Sequence, residues 1–257
     1  MTIGYEEFID RVYRKTGINL KAYKRPQMER RINTLMRSIG VEDYVEYLRV
    51  LDHDQVHCRK FIDHLTINVS EFLRNPPQWR VLETTILPLL LRENPKLKIW
   101  SAGCSTGEEP YSLAILLSEA APHNNWRILA TDLDRKVLEK AEEGIYNSKA
   151  LVNIDNRLRA KYFDQSGDSF QVKSSLKLGV RFARHDLLRD DYQPNLDLIL
   201  CRNVVIYFTE ETKTKLYQRF HQALRKGGVL FTGSTEQIFQ AKELGFHSPA
   251  SFFYQKI

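Results

Sequence analysis

Residues 99–110 read IWSAGCSTGEEP, an apolar run that closes on a turn of glycine and small residues and opens directly into the start of a helix. A short strand, a glycine turn and a helix N-terminus form the place where a parallel sheet binds a nucleotide. The free amides of the first helical turn point toward the ligand, and glycine lets the backbone approach it closely. Gly103 and Gly107 supply that freedom. No Lys-Ser or Lys-Thr follows the second glycine, which argues against a Walker A phosphate loop. Glu108 and Glu109 at the helix start would repel a pyrophosphate and favour a ligand carrying positive charge. The same spacing fits a plain strand-to-helix turn with a favourable acidic first turn equally well.

Working outward, short apolar runs at 98–102, 127–131, 180–183, 196–201, 229–233 and 252–257 alternate with amphipathic segments at 108–120, 135–143 and 210–224. That rhythm predicts repeated βαβ units and a mostly parallel sheet. The second strand ends in Thr131, Asp132, Leu133 and Asp134; a carboxylate there can accept from both hydroxyls of a ribose, while one of the two aspartates caps the next helix. His185 and Asp186 follow the third strand, and CRNVVIYF (201–208) follows and extends the fourth, so polar residues collect at the carboxyl ends of adjacent strands. Residues 162–178 break the rhythm with alternating Phe170 and Val172 and the turn formers Ser166, Gly167 and Asp168, which predicts a small antiparallel β subdomain at about 160–182.

Upstream, the first 75 residues read as helices at 5–16, 41–51 and 56–65. A further apolar stripe of Met28, Ile32, Leu35, Met36 and Ile39 runs between Pro26 and Gly40. Pro76, Pro77, Pro88 and Pro95 punctuate a connecting region with a helix at 79–91. The expected division is a helical domain at 1–75, a linker at 76–97 and an α/β domain at 98–257.

The chain has 257 residues, of which 42% are hydrophobic, enough to bury a full core without disulfide staples. Cys58, Cys104 and Cys201 are widely spaced with no metal-ligand pattern, so no metal is expected and a reducing cytoplasm is the default. No apolar run is long enough to enter a membrane. The net charge is +6, yet nine basic residues face Glu29 alone between Arg11 and Arg37, leaving the rest slightly acidic. Arg30 and Arg37 share one helix face and Arg31 lies about 100° away from Arg30.

TINVSEFLRN (66–75), WSAGCSTGEEPYSLA (100–114), ATDLDRKVLEKAEEGIY (130–146), CRNVVIYF and LRKGGVLFTGSTE (224–236), in this order along nearly the whole chain, closely resemble the CheR-type chemotaxis protein methyltransferases. The resemblance implies an all-helical N-terminal domain, then a Rossmann-like S-adenosylmethionine-dependent methyltransferase domain with a small antiparallel β insertion. It further implies methylation of glutamate side chains on the cytoplasmic helices of chemoreceptors. Motif by motif, the cofactor residues it implies are Asn68, Ser70, Arg74, Glu109, Asp132, Asp186, Leu187, Asn203 and Val204. Family members more often carry Thr where Ser70 stands and Asn where Asp186 stands.

A glutamate near its reference pKa of about 4.3 is ionised at neutral pH and attacks a sulfonium methyl without a general base. What the protein has to supply is placement, partial dehydration and a pocket tolerant of a cation. Arg74 is the candidate for gripping a carboxylate, either that of the substrate or that of the cofactor's methionine portion. Tyr207 is the candidate for orienting the reacting groups, and Cys104 and Cys201 read as apolar wall.

Two other classes compete, a nucleic-acid methyltransferase and a noncatalytic nucleotide-binding protein. The Asp/Asn-Pro-Pro-Tyr/Phe motif of amino methyltransferases is replaced by Arg202, Asn203, Val204 and Val205, so no nucleic-acid partner is expected. Arg30, Arg31 and Arg37 are then expected to meet the acidic receptor helices. Some relatives carry a longer glycine-containing loop that grips a short receptor tail. The brief QSGDS turn (165–169) here predicts recognition without such a pentapeptide tether.

Overall fold

Phe8 organises the first of two units. The computed structural model describes residues 2–65, 70–121 and 126–257, and the chain divides into Met1–Ile67 with Tyr207–Thr214, and Asn68–Ile206 with Lys215–Ile257. In the first unit α1 (Tyr5–Thr16) carries acidic residues in its first turn and basic ones in its last, and stops at Gly17 in the left-handed conformation. α2 (Arg25–Ser38) turns Met28, Ile32 and Met36 inward, the stripe read from the sequence. α3 (Tyr44–His53) is capped by the Asp43 side chain on the amides of Val45 and Glu46, and α4 (Gln55–Leu65) follows. Phe8, fully buried, stacks on Tyr44 at 4.7 Å and meets Phe61 edge-on at 6.3 Å.

The second unit begins before the expected sheet. Residues 76–93 form one helical run: α5 (Pro76–Val81), a widened turn (Leu82–Ile86) and α6 (Leu87–Glu93). Trp79, Leu82, Ile86, Leu87 and Leu90 from this run are buried in the unit's main core together with Phe72. The expected linker at 76–97 is therefore corrected to a core helix, and the expected helical domain at 1–75 loses its last residues to this unit. The prolines were misleading because Pro76 and Pro77 sit at a helix start, where a missing N–H costs nothing. Pro88 follows a widened turn, one of the ways a helix accommodates proline.

The main sheet collects β1 (Lys98–Ala102), β2 (Arg127–Asp132), β6 (Val180–Arg184), β7 (Leu196–Cys201), β8 (Leu224–Thr232), β9 (Phe246–Ala250) and β10 (Phe253–Lys256), interleaved with α7 (Glu108–Ala120), α8 (Arg135–Glu143) and α11 (Glu210–Ala223). Its order is β6-β2-β1-β7-β8-β10-β9. The first five strands are parallel, and β10 runs antiparallel to both β8 and β9. Connections leave β1 toward β2 and β7 toward β8, so the order reverses between β1 and β7, and a crevice at the carboxyl ends of those two strands is the expected ligand position. β9 had no counterpart in the sequence reading. Its segment, FHSPA, has one buried residue, Phe246, and a proline, which is edge-strand composition.

The antiparallel insertion consists of β3 (Ile145–Asn147), β4 (Phe163–Ser166) and β5 (Ser169–Val172) in the order β3-β5-β4, with α9 (Asn156–Tyr162) before β4 and α10 (Ser174–Lys177) after β5. It starts earlier than the expected 160–182, because Tyr146 pairs with Phe170, while the run at 180–184 joins the main sheet.

Two polar knots lock these layers. Asp197, fully buried in β7, accepts from Arg225 Nε at 2.6 Å, the Lys98 amide at 2.8 Å and Asn94 Nδ2 at 3.1 Å, joining β7, β8, β1 and the end of α6 at the edge opposite the crevice. Glu119 near the end of α7 accepts from Lys161 Nζ and the Tyr162 hydroxyl at 2.6 Å and from Arg157 at 2.7 Å, which ties α7 to α9. The Lys161 and Tyr162 hydrogen bonds pull the Glu119 pKa down to about 2. A depressed carboxylate stabilises the fold above its unfolded pKa and loses that contribution as pH falls toward the folded value. Its cations are mostly exposed, which weakens the pairing. Glu119→Gln is expected to lower stability at pH 7 by about 1–2 kcal/mol, with the deficit shrinking between pH 4.5 and 2. Urea midpoints of both proteins across that range measure it; an equal deficit at both ends would contradict the assignment.

Candidate functional site at the carboxyl ends of the strands

The turn after β1 has the shape its glycines predict. Gly103 and Gly107 have φ of +84° and +94°, and the amides of Gly103 and Cys104 both donate to the Thr131 carbonyl, at 2.8 and 2.9 Å. A Cβ on Gly103 would stand 2.5 Å from Val204 Cγ2, so the glycine is what lets the turn after β1 approach the turn after β7. Gly107 serves packing instead: a Cβ there would meet Ala141 at 2.8 Å and the Tyr146 hydroxyl at 2.9 Å.

Asp132 ends β2 with its carboxylate over this turn. One oxygen accepts the Ser105 amide at 2.9 Å and the other the Asp134 amide at 3.1 Å, leaving lone pairs on each. Burial raises its pKa, opposed by those backbone donors. Asp134 is the helix cap of the pair, accepting from the Lys136 amide.

Glu108 turns aside to the Thr106 hydroxyl, whereas Glu109 accepts from Ser101 Oγ at 2.8 Å and lies 3.6 Å from Arg202 Nη1. Burial raises the Glu109 pKa and Arg202 opposes the rise; burial lowers that of Arg202, and Glu109 and Glu236 oppose the fall. Arg202, 6% exposed, donates from Nη2 to the Arg74 carbonyl at 2.8 Å and to Gln78 Oε1 at 2.9 Å, and its guanidinium lies over the rings of Phe231 and Trp79. Among the described residues its Nε has no hydrogen-bond partner. Arg74 is thus anchored through its own backbone, which also accepts from the Trp79 indole at 2.9 Å, and its half-buried side chain lies within electrostatic range of Arg202.

The expected residues divide as follows. Arg74, Glu109, Asp132, Asn203 and Val204 fall in or beside the turns after β1, β2 and β7 and the loop hung from Arg202. Asp186 and Leu187 follow β6, but their polar groups are in local use: Asp186 Oδ1 accepts the Leu188 amide at 2.9 Å, and the Leu187 carbonyl accepts from the Tyr192 hydroxyl at 2.8 Å and from Arg219. Ser70 is half-buried ahead of Phe72, and Asn68 lies outside the described residues. Tyr207 belongs to the first unit, where its carbonyl accepts from the Lys24 amide at 2.9 Å and its phenol is in electrostatic range of Arg31. Cys104 and Cys201 are buried with thiol pKa values pushed up by that burial, the state of wall residues rather than nucleophiles.

Sequence reading assigned no role to Arg202 or Glu236. The signals were present: an arginine directly after six buried residues of β7, and a glutamate four residues past the end of β8 in TGSTE. On α2 of the first unit, Arg30 and Arg37 are exposed and, among the described residues, take part in no ion pair, whereas Arg25, Lys21 and Lys15 are each paired with a carboxylate. Arg31 is half-buried, and burial lowers its pKa.

The donor set suits a nucleoside with a cationic tail: a carboxylate with spare acceptors at the end of β2, backbone cleared by glycine between β1 and β7, and carboxylates outnumbering the cation beside them. Among the described residues no group of three or more His, Cys, Asp or Glu is placed to hold a metal, and no helix is long and apolar enough to cross a membrane.

Comparison with known proteins gives the same picture. Residues 68–251 match the family described as CheR methyltransferase, SAM binding domain, and residues 3–66 match CheR methyltransferase, all-alpha domain. The chemotaxis protein methyltransferase of Listeria innocua is 42% identical over 253 residues, covering 98% of this chain and 97% of that protein. The protein of the same name from Escherichia coli is 35% identical over 242 residues, covering 88% and 82%.

The buried Arg202–Glu109 contact generates a pH-dependent expectation. Arg202→Met leaves Glu109 buried without its cation, and should cost about 3–5 kcal/mol at pH 7. A carboxylate whose folded pKa is raised is penalised above that pKa and relieved as pH falls through it, so the deficit should shrink on acidification to pH 5.5. Denaturant titrations at both pH values test this; a deficit that grows on acidification would contradict it.

Proposed function

Because the chain belongs to the CheR methyltransferase family, we propose that it methylates glutamate side chains on the cytoplasmic helices of chemoreceptors, giving glutamate methyl esters for chemotactic adaptation, and that it works in the cytoplasm. The observation that carries this reading is the site at the β1/β7 reversal: a turn cleared by glycine, with Asp132 at its rim and Glu109 behind it, in a chain whose relatives of that name align nearly end to end. When bound, S-adenosylmethionine supplies an electrophilic methyl on a positively charged sulfur.

Asp132 offers its spare lone pairs to the ribose hydroxyls, and the Asn203–Val204 turn and the Asp186–Leu187 turn receive the base, the latter through rearrangement of its local bonds. Ser70 and Asn68 complete the cofactor set, and Glu109 adds negative charge on the side where the cation lies. Arg74, its backbone fixed by Arg202 and Trp79, grips a carboxylate, that of the substrate or of the cofactor's amino-acid end. Tyr207 orients the reacting groups. The substrate glutamate arrives ionised, so the chain needs no general base; it aligns the carboxylate and strips part of its water. Alternative acceptors fit less well, since Arg202, Asn203, Val204 and Val205 stand where an amine-methylating site would carry its Pro-Pro motif, and the Asn203 amide there is bound to Glu236.

Arg30 and Arg37, exposed on α2 and in no ion pair among the described residues, together with Arg31, contact the acidic receptor helix. The β4–β5 hairpin closes in two residues, with Ser166 paired to Ser169, which leaves little backbone for a tethered tail and favours tail-independent recognition.

Incubating the purified chain with receptor cytoplasmic fragment and methyl-labelled cofactor should give label released as methanol by alkali. Alkali-stable label found in nucleic acid alone would overturn the reading. Arg74→Ala should abolish most turnover, with cofactor affinity kept if Arg74 serves the substrate and lost if it serves the cofactor. Turnover and affinity both unchanged would contradict either role. Arg30→Glu combined with Arg37→Glu should raise the substrate KM about tenfold and spare cofactor binding, an effect that added salt reproduces in the parent; an unchanged KM would remove α2 from the substrate interface.

A further inference from the structure

Glu236 has no place in the cofactor or substrate sets above, yet it is 4% exposed and its carboxylate is fully engaged by backbone. It stands just after β8. One oxygen accepts the Asn203 amide and the Gly233 amide, both at 2.7 Å, and the other accepts the Ile206 amide at 3.3 Å. β7 and β8 are neighbouring parallel strands whose last residues, Cys201 and Thr232, are partners, so this single side chain ties together the turns that leave them. The tie is itself braced, because the Glu236 carbonyl accepts from Thr232 Oγ1 at 3.0 Å and its amide donates to the Gly233 carbonyl at 2.9 Å.

Two independent features show what the carboxylate is for. Asn203 has φ of +58°, the left-handed conformation that asparagine tolerates better than most side-chain-bearing residues, and the carboxylate captures its amide there. Position 233 has no room for a side chain: a Cβ would stand 2.6 Å from the Glu236 carboxylate and 2.9 Å from the Asn203 amide. Glycine there keeps the path between the two turns open.

We propose that Glu236 is a positioning residue, whose carboxylate holds the Asn203–Val204 turn in the shape that receives the cofactor without touching the cofactor itself. This rests on the reading that Asn203 and Val204 line the cofactor site. Binding of S-adenosylhomocysteine, measured by calorimetry, and amide exchange of the ligand-free protein test it together. Glu236→Ala should weaken binding at least tenfold and speed exchange at Asn203, Ile206 and Gly233, while the amides of β1 and α7 keep their protection. Glu236→Gln retains an oxygen for the converging Asn203 and Gly233 amides and should stay within threefold of the parent. Folded Glu236→Ala protein that binds within threefold, or Glu236→Gln that binds as poorly as Glu236→Ala, overturns the proposal. Should Glu236→Ala not fold, Gly233→Ala decides: its methyl group displaces the carboxylate from Asn203, so binding should weaken tenfold, and unchanged binding overturns the proposal. A parent chain that binds the ligand but esterifies no glutamate would contradict the receptor reading and leave this assignment standing, so the two failures are distinguishable.

Discussion

A guanidinium taken out of water costs several kcal/mol unless charges and acceptors converge on it, and Arg202 is placed where they do. Glu109 faces one nitrogen, the Arg74 carbonyl and Gln78 accept from another, and the rings of Trp79 and Phe231 cover the plane. The partners come from the loop before α5, from α5 itself, from the start of α7 and from β8. Arg202 thereby links segments separated by well over a hundred residues along the chain. Glu236 adds the second carboxylate of the cluster and carries its influence into the turns after β7 and β8.

The arrangement explains where the backbone departs from ordinary geometry. Among the described residues six non-glycine positions have positive φ, and four of them, Leu73, Asn75, Ser105 and Asn203, flank Arg74 or lie in the turns that face the crevice. Each has a hydrogen bond that holds it: Leu73 to Ser112 Oγ, the Asn75 carbonyl to the Gln78 amide, Ser105 to Asp132 and Asn203 to Glu236. Strain concentrated in loops and fixed by buried side chains is characteristic of pre-organised sites. In this cluster Arg202 is paired with buried Glu109 and lies in electrostatic range of buried Glu236 and of Arg74.

Much of this was legible in the sequence where the determinants are local. α7 and α8 begin and end at the expected residues because a glycine turn, the Asp134 cap and Gly144 punctuate them. β7 is readable because a strand buried on both faces is apolar almost throughout, Asp197 being its single polar residue. The helix expected at 79–91 extends over 76–93, because Pro76 and Pro77 open it where prolines elsewhere interrupt a helix. β9 went unseen because an exposed edge strand carries almost no pattern. For Arg202 and Glu236 the local pattern shows only a charged residue past a buried strand; most of the partners that define their roles lie 30 to 128 positions away. The strand-then-turn grammar places Asp132 at the end of β2 and Glu109 in the first turn of α7, as in the structure, whereas Asp186 and Leu187 follow β6 with their polar groups in local hydrogen bonds.

On the proposed reading the reversal between β1 and β7 holds the cofactor and Asp132 accepts from its ribose. A crystal structure of the chain with S-adenosylhomocysteine tests it most directly. The ligand is expected between the Gly103 turn and the Asn203–Val204 turn, with both ribose hydroxyls on the Asp132 carboxylate; a ligand seated elsewhere, with that carboxylate touched by the Ser105 and Asp134 amides alone, would refute the assignment.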